Sequence, residues 1–191
     1  MRVITGTARG TKLRPPSSDG TRPISDRGKE ALFSILTARI PASRFLDLFA
    51  GTGGVGIEAL SRGALHASFV ENGDVALRDL RWNLERTRLD DSAKVIAGDV
   101  FQFLKRPPAE PFDVIFIAPP QWKELWEPTL QLVDAAPAWL AEGGVVVVQT
   151  DPKEIHDLEL RHLERQDVRR YGGVAFAFYE VMTQPLVEAE L

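Results

Sequence analysis

FLDLFAGTGGVGIEAL, residues 45–60, is the stretch of sequence that decides the fold. It predicts a short apolar strand, then a glycine-rich turn, then a helix. Gly51 and Gly53 permit the positive φ of a tight turn and let a ligand approach the backbone closely. Gly56 would let the first turn of the helix pack against the strand. The amide groups at the start of that helix would then point at a ligand lying across the turn.

The glycine spacing by itself leaves the ligand open. Gly51, Gly53 and Gly56 match the dinucleotide fingerprint, and Glu71 follows where that fingerprint places a carboxylate for ribose hydroxyls. Asp47 argues against a dinucleotide, because its carboxylate repels a pyrophosphate and attracts a cation. S-Adenosylmethionine carries an amino group and a sulfonium but no phosphate. The residues therefore favour S-adenosylmethionine, while a nicotinamide or flavin dinucleotide and a turn without a ligand stay open.

Composition excludes several classes of protein. The chain has 191 residues, 44% of them hydrophobic and 26% charged, which is typical of one globular domain. It contains no cysteine, so disulfides, thiolate catalysis and cysteine-based zinc sites are excluded. No apolar run is long enough to span a membrane, and no signal peptide is recognisable. We expect a cytoplasmic monomer that binds neither a metal nor a membrane.

Charge is distributed unevenly along the chain. The net charge is −4, yet residues 1–44 carry nine basic and three acidic side chains. Glycines and prolines in residues 1–24 predict an extended, irregular backbone that could follow a phosphate chain. We expect residues 1–44 to be a basic extension that binds a polyanion, and residues 45–191 to be the ligand-binding domain. A solvated extension that binds nothing is the alternative. The candidate polyanion-binding residues are Arg2, Arg9, Lys12, Arg14, Arg22 and Arg27.

The rest of the sequence predicts strands and helices in alternation. A helix should follow a cap at Ser25 or Asp26, and a leucine- and alanine-rich helix should span residues 123–140 with possible breaks at Pro128 and Pro137. Further strands are predicted at residues 67–71, 93–97, 112–118 and 145–148. Two β runs, residues 167–171 and 174–179, flank a glycine pair and predict an antiparallel hairpin. The fold class is therefore α/β, a doubly wound and mostly parallel Rossmann-like sheet closed by a C-terminal antiparallel hairpin.

Polar residues follow the carboxyl ends of four predicted strands, where ligands bind in an open parallel sheet. Glu71 can accept hydrogen bonds from both ribose hydroxyls, and Asp99 can accept from an adenine amino group. One such carboxylate alone is more often a helix cap or a solvated charge, but three at successive strand ends favour a ligand site. The candidate cofactor-binding residues are Asp47, Phe49, Gly51, Thr52, Gly53, Gly56, Glu71, Asn72, Asp99 and Val100.

One run before the glycine turn is more specific than the turn, namely TRPISDR at residues 21–27 leading into EALF at residues 30–33. Further segments of the same kind are RVITG at 2–6, RG at 9–10, EALSRGA at 58–64, VE at 70–71 and YG at 171–172. On these segments the sequence resembles the RsmD family of class I S-adenosylmethionine-dependent methyltransferases over nearly its whole length. The resemblance implies methyl transfer to the exocyclic N2 of a guanine, with small-subunit ribosomal RNA or the small ribosomal subunit as partner. It also makes RNA the polyanion.

One motif departs from that family. The family's fourth motif has Asp or Asn, then two prolines, then an aromatic residue, whereas this chain has Ala118, Pro119, Pro120 and Gln121, followed by Trp122. In the family's mechanism, acceptors of this motif hold the protons of the guanine amine and orient its lone pair, and the aromatic ring stacks on the flipped base. The resemblance therefore implies that these five residues form the catalytic group.

Ala118 has no side-chain acceptor, which leaves alternatives. In the first, which we favour, the carbonyls of Ala118 and Pro119 act together with Gln121 or Asp26, and Trp122 stacks on the base. In the second, the chain is a catalytically degenerate assembly factor that still binds cofactor and RNA. A nicotinamide-dependent oxidoreductase is a third alternative, disfavoured by the acidic residue before the glycine turn and by the C-terminal hairpin.

Overall fold

The structure is a computed structural model that describes residues 1–16 and 24–182. Its strands and helices alternate through most of the chain. The strands are β1 (Arg44–Leu48), β2 (His66–Glu71), β3 (Ala93–Ala97), β4 (Phe112–Ile117), β5 (Leu140–Thr150), β6 (Leu163–Tyr171) and β7 (Val174–Val181). The helices are α1 (Asp26–Ile35), α2 (Gly56–Ser61), α3 (Asp74–Thr87), α4 (Val100–Leu104) and α5 (Trp126–Ala135). Three short 3-10 turns lie at Thr37–Arg39, Asp90–Ser92 and Pro137–Trp139.

The seven strands form one sheet in the order β3-β2-β1-β4-β5-β7-β6. Strands β1 to β5 pair in parallel, while β7 runs antiparallel to both β5 and β6. This topology brings the carboxyl ends of β1, β2, β4 and β5 to the same edge of the sheet. The predicted α/β class, the mostly parallel sheet and the C-terminal hairpin are all confirmed.

Both faces of the central sheet are covered. Strand β4 and residues 145–148 of β5 are nearly continuous apolar runs, as expected of parallel strands buried on both sides. On one face, Phe33 of α1 packs with Phe69 and Phe176 of the sheet. On the other face, Leu130 of α5 packs with Trp139. Among the described residues, no helix has the length and the apolar content that crossing a membrane requires.

Two helix predictions need comment. Ser25 caps α1 as predicted, since its hydroxyl accepts from the Gly28 amide at 3.1 Å. The helix predicted over residues 123–140 is shorter than expected: α5 covers Trp126–Ala135 and is followed by the 3-10 turn at Pro137–Trp139. Pro128 does not break α5, because it lies in the first turn, where its missing amide donor has no partner to lose. Pro137 does mark the end.

The first sixteen residues are not a free extension. Val3, Ala8 and Leu13 are buried in the core. The amides of Ile4 and Thr5 donate to the Glu58 carboxylate at 2.8 and 3.0 Å. The expected irregular backbone is confirmed for this segment, which forms no helix or strand and only an isolated bridge between Arg2 and Lys12. Buried apolar side chains and directed hydrogen bonds nevertheless hold it against the folded domain, and a role in following a phosphate chain stays a prediction.

Candidate active site

A cavity of about 440 Å³ lies at the carboxyl ends of the parallel strands. Six of the ten predicted cofactor-binding residues line it, namely Asp47, Phe49, Gly51, Thr52, Glu71 and Asn72. Ala118 and Pro120 of the predicted catalytic group line it as well. One cavity thus joins the glycine turn to the two-proline segment that follows β4.

The glycine turn has the conformation that its sequence requires. Gly51 and Gly53 have φ values of +55° and +81°, a region that favours glycine. A Cβ atom on Gly53 would lie 2.3 Å from Leu80 Cδ1, and one on Gly56 would lie 2.3 Å from the Phe69 ring. The predicted roles of the three glycines in the turn and in close helix packing are confirmed.

Asp47 is buried beneath this turn. One of its carboxylate oxygens accepts a hydrogen bond from the Gly56 amide at 3.0 Å. Burial raises the pKa of Asp47 to about 7, the Gly56 hydrogen bond opposes that rise, and the negative charge of Glu71 adds to it. A cation entering the cavity would favour the ionised carboxylate and so lower this pKa.

Glu71 connects β2 to the glycine turn. Its Oε2 accepts from the Gly51 amide at 2.8 Å, and its Oε1 accepts from the amides of Asn72 and Gly73 at 2.9 and 2.7 Å. A carboxylate has about four acceptor positions, so roughly one remains. The geometry therefore leaves room for one ribose hydroxyl, fewer than the two that the sequence suggested.

Asp99 and Val100 do not line the cavity. Asp99 instead caps α4, a helix that the sequence did not predict, by accepting from the Gln102 amide at 3.0 Å. Val100 is buried. A role for either residue in cofactor binding stays a prediction.

The segment after β4 is more open than the glycine turn. Trp122 has a φ of +62° and leaves 64% of its surface exposed, and its amide donates to Glu154 at 3.1 Å. Trp122, Gln121 and Pro119 do not line the cavity. Asp26 does not line it either, and it forms an ion pair with Arg2 at 2.9 Å. Neither residue suggested from the sequence as an additional acceptor therefore lies at the cavity wall.

Gln149, at the end of β5, is a wall residue that the sequence analysis missed. It is a polar residue directly after the apolar run Val145–Val148, and this break in the pattern could have revealed it. Its amide oxygen is buried and has no hydrogen-bond partner among the described residues. The missed wall also includes Met1, Pro16 and Ile24 at the N-terminal end, for which the sequence carried no signal.

A second cavity, of about 410 Å³, lies between the start of α1 and the β6–β7 turn. Its lining includes Arg27, Arg170 and Tyr171. Ser25 lines this cavity while Ile24 lines the first one, so the two cavities are adjacent. Arg27 was predicted from the sequence to bind RNA, whereas Arg170 was not.

The other predicted RNA-binding residues differ in their surroundings. Arg14 forms an ion pair with Asp79 at 3.1 Å and lies over the Trp82 ring at 4.2 Å, and Arg2 is paired with Asp26. Arg9 and Lys12 are exposed and form no ion pair within the described part of the chain. Arg22 lies outside the described residues. Within those residues, no group of three or more His, Asp or Glu is placed to hold a metal ion.

Residues 1–180 match the family described as "Conserved hypothetical protein 95". The chain is 39% identical over 153 residues to "Ribosomal RNA small subunit methyltransferase D" of Haemophilus influenzae, covering 79% of each protein. It is 35% identical over 151 residues to the protein of the same name from Escherichia coli K12, covering 79% of this chain and 75% of that one.

The fold agrees with a solved structure as well. The Escherichia coli protein yhhF superposes with a TM-score of 0.84 at 32% identity, covering 96% of this chain and 99% of that chain. The similarity thus extends over the N-terminal segment, the sheet and the terminal hairpin together.

Proposed function

We propose a function from the premise that the chain belongs to the conserved hypothetical protein 95 family, the RsmD family of ribosomal RNA methyltransferases. In this proposal the chain transfers a methyl group from S-adenosylmethionine to a guanine N2 amine in small-subunit ribosomal RNA. One observation carries the proposal: a single cavity joins the acidic glycine turn to the two-proline segment after β4. Guanine 966 is the specific target we propose.

The cavity residues fit S-adenosylmethionine. The volume of about 440 Å³ lies in the usual range for small-molecule sites. Asp47 would attract the amino group of the ligand, and Glu71 has about one acceptor position left for a ribose hydroxyl. When bound, this cofactor supplies a methyl group made electrophilic by its sulfonium.

The chemistry asked of the chain is positioning. A guanine amine is a weak nucleophile, because its lone pair is delocalised into the ring. The chain would stack the base on Trp122 and hold the amine protons with the carbonyls of Ala118 and Pro119, so that the lone pair faces the methyl carbon. The exposure of Trp122 supports this proposal, because an exposed indole is accessible to a macromolecular substrate.

RNA would lie across the basic surface beside the cavity. Arg27 and Arg170 line the adjacent cavity, and Arg9 and Lys12 are exposed on the N-terminal segment. These cations would bind backbone phosphates and so contribute affinity and orientation rather than base selection. We also propose that the protein acts in the cytoplasm as a monomer.

The first experiment is transfer of labelled methyl from S-adenosylmethionine to small ribosomal subunits that lack their own guanine-N2 methylation. Naked RNA serves as a parallel substrate, and mass spectrometry maps the modified nucleotide. Label on a single guanine N2 is the expected result, and mapping tests position 966. Label on another atom would contradict the proposed reaction.

The same samples also test two alternative functions. Ala118 favours a degenerate factor that binds cofactor and RNA without turnover, which would appear as calorimetric binding of S-adenosylmethionine without label in RNA. A nicotinamide-dependent oxidoreductase would instead bind a nicotinamide dinucleotide when that ligand is titrated in place of S-adenosylmethionine. We expect no dinucleotide binding, because the Asp47 carboxylate repels a pyrophosphate.

A further inference from the structure

Gln149 of β5 is the neighbour of Ala118, the residue directly after β4. Strands β4 and β5 are parallel and in register, with Phe116 opposite Val147 and Ile117 opposite Val148. The next pair in this register is Ala118 and Gln149. Because side chains alternate between the faces of a sheet, both residues share the face of Phe116, and all three line the first cavity.

The Gln149 amide has acceptor capacity to offer. Its oxygen is buried without a hydrogen-bond partner among the described residues, an unfavourable condition that a bound donor would relieve. Rotation about the last side-chain torsion exchanges the amide oxygen and nitrogen, which occupy nearly equal space. The oxygen can therefore turn to whichever side of the amide faces a donor in the cavity.

We propose that Gln149 is a catalytic residue that supplies the side-chain acceptor missing at position 118, by accepting a hydrogen bond from the exocyclic amine of the target guanine. This inference rests on the proposed function. It replaces the earlier suggestions of Gln121 and Asp26, which do not line the cavity, whereas Gln149 lies beside Ala118.

The methyl transfer that this contact assists needs no base on the protein. Guanine N2 forms a bond to the methyl carbon while the carbon–sulfur bond breaks, and the electron pair of that bond stays on sulfur as a thioether. N2 then releases one proton to water, since an amide oxygen is too weakly basic to keep it. The Gln149 oxygen orients the amine and stabilises the positive charge that develops on N2.

Substitution of Gln149 tests the inference. Gln149→Leu removes the acceptor at similar volume, and we expect kcat to fall about 100-fold while affinity for S-adenosylmethionine stays unchanged. Ala118→Asn in the Gln149→Leu protein should restore activity to within about tenfold of wild type, because it returns an acceptor to the adjacent strand. Gln131→Leu, on the exposed surface of α5, is the matched control and should leave activity unchanged.

A second readout needs no turnover. A synthetic RNA fragment carries either guanosine or inosine at the mapped nucleotide, and inosine lacks the exocyclic amine. Wild type should bind the guanosine fragment about fivefold or more tightly than the inosine fragment, since inosine cannot donate to Gln149 or to the main-chain carbonyls. Gln149→Leu should show a smaller preference for guanosine, because only the main-chain carbonyls then accept from its amine.

The outcomes separate this inference from the proposed function. A wild type that transfers no methyl to guanine N2 overturns both. An active wild type with an equally active Gln149→Leu variant overturns the role of Gln149 alone. A loss of activity that Ala118→Asn does not rescue, with the guanosine preference intact, also overturns it, because that pattern indicates a packing role for Gln149.

Discussion

The glycine-turn side of the cavity and the segment that follows β4 are built in opposite ways, and we name them the cofactor half and the substrate half after their proposed roles. In the cofactor half, the buried carboxylate of Asp47 and the half-buried carboxylate of Glu71 accept four backbone amides between them and fix the glycine turn before any ligand arrives. In the substrate half, Trp122 is mostly exposed and held by one backbone hydrogen bond to Glu154. The difference indicates that a small cofactor meets a preformed surface, while a large RNA meets an open one.

The N-terminal segment, residues 1–16, is held against the cofactor half by buried contacts. Lys29 and Glu58 form a fully buried ion pair at 3.1 Å, and Glu58 also accepts the amides of Ile4 and Thr5. Lys29 in turn donates to the Arg2 carbonyl at 2.6 Å. This network holds the N-terminal segment against α2, which begins directly after the glycine turn.

Breaking that network should have the largest effect. Glu58→Gln leaves Lys29 buried without its anionic partner, and we expect the free energy of unfolding to fall by about 3–5 kcal/mol. Urea denaturation measures it. The matched control is Asp26→Asn, which breaks the exposed pair with Arg2 and should cost under about 1 kcal/mol. Equal losses in the two variants would contradict the role of burial.

The next largest effect should come from the packing of the glycine turn. Gly56→Ala places a methyl group 2.3 Å from the Phe69 ring, and we expect a loss of about 1–3 kcal/mol in stability together with weaker cofactor binding. Gly98→Ala is the control, because no atom lies within 4 Å of its added methyl group. Thermal unfolding and calorimetry report the two quantities. A stable Gly56→Ala protein would mean that the helix can move away without loss.

The substrate half should respond differently to mutation. Trp122→Ala should leave stability and S-adenosylmethionine affinity unchanged, because the side chain is exposed. RNA affinity should fall by about 1–3 kcal/mol through the loss of base stacking. Filter binding with small-subunit RNA measures it. A destabilised variant would show instead that the indole packs on the protein and that the substrate half is less open than described.

The Asp47 carboxyl should make cofactor binding depend on pH. Its pKa of about 7 in the folded protein lies above the ordinary value of 3.8, so the protonated form is favoured and the stability it contributes is lost as pH rises through 7. A cationic ligand prefers the ionised form. Affinity for S-adenosylmethionine should therefore rise with pH between 5 and 7, by up to about tenfold, or 1.4 kcal/mol, per pH unit.

Calorimetry at several pH values tests this dependence. Asp47→Asn cannot ionise, so it should bind more weakly above pH 7 and show a flatter profile. A wild-type affinity that is independent of pH would remove Asp47 from contact with the charged part of the ligand.

The smallest effect should come from the exposed cations of the N-terminal segment. Lys12→Ala should weaken RNA binding a few-fold and reduce the slope of log affinity against log salt by about one, with cofactor affinity unchanged. Arg9→Ala should behave alike. Lys94→Ala, on the exposed side of β3, is the control for a loss of positive charge elsewhere. An unchanged salt slope for Lys12→Ala would remove this segment from the RNA surface.

The sequence predicted those parts of the molecule that local chemistry dictates. Gly51, Gly53 and Gly56 predict the turn because few other residues can adopt its φ values or fit its contacts. The apolar run at residues 145–148 predicts a buried strand. Asp47 and Glu71 followed from their positions at strand ends. The proposed methyl transfer to guanine N2 was inferred from the family resemblance rather than from the periodicity of the sequence.

The parts that the sequence did not predict depend on contacts between distant residues. Arg14 reads as a free cation until Asp79 and Trp82 are brought beside it by folding. The proposed role of Gln149 depends on its position beside Ala118, which directly follows β4 and lies 31 residues earlier in the chain. Pairings of this kind are set by tertiary structure, so local pattern could not have indicated them.

The hydrogen bonds that hold the N-terminal segment also have a consequence for the order of folding. Residues 1–16 are synthesised before their partners Glu58 and Asn83, which follow dozens of residues later. The buried side chains Val3, Ala8 and Leu13 must stay exposed on the nascent chain until α2 and α3 have emerged. The segment can therefore dock only after these partners have been synthesised, so the wall that it adds to the cavity forms after the glycine turn has been made.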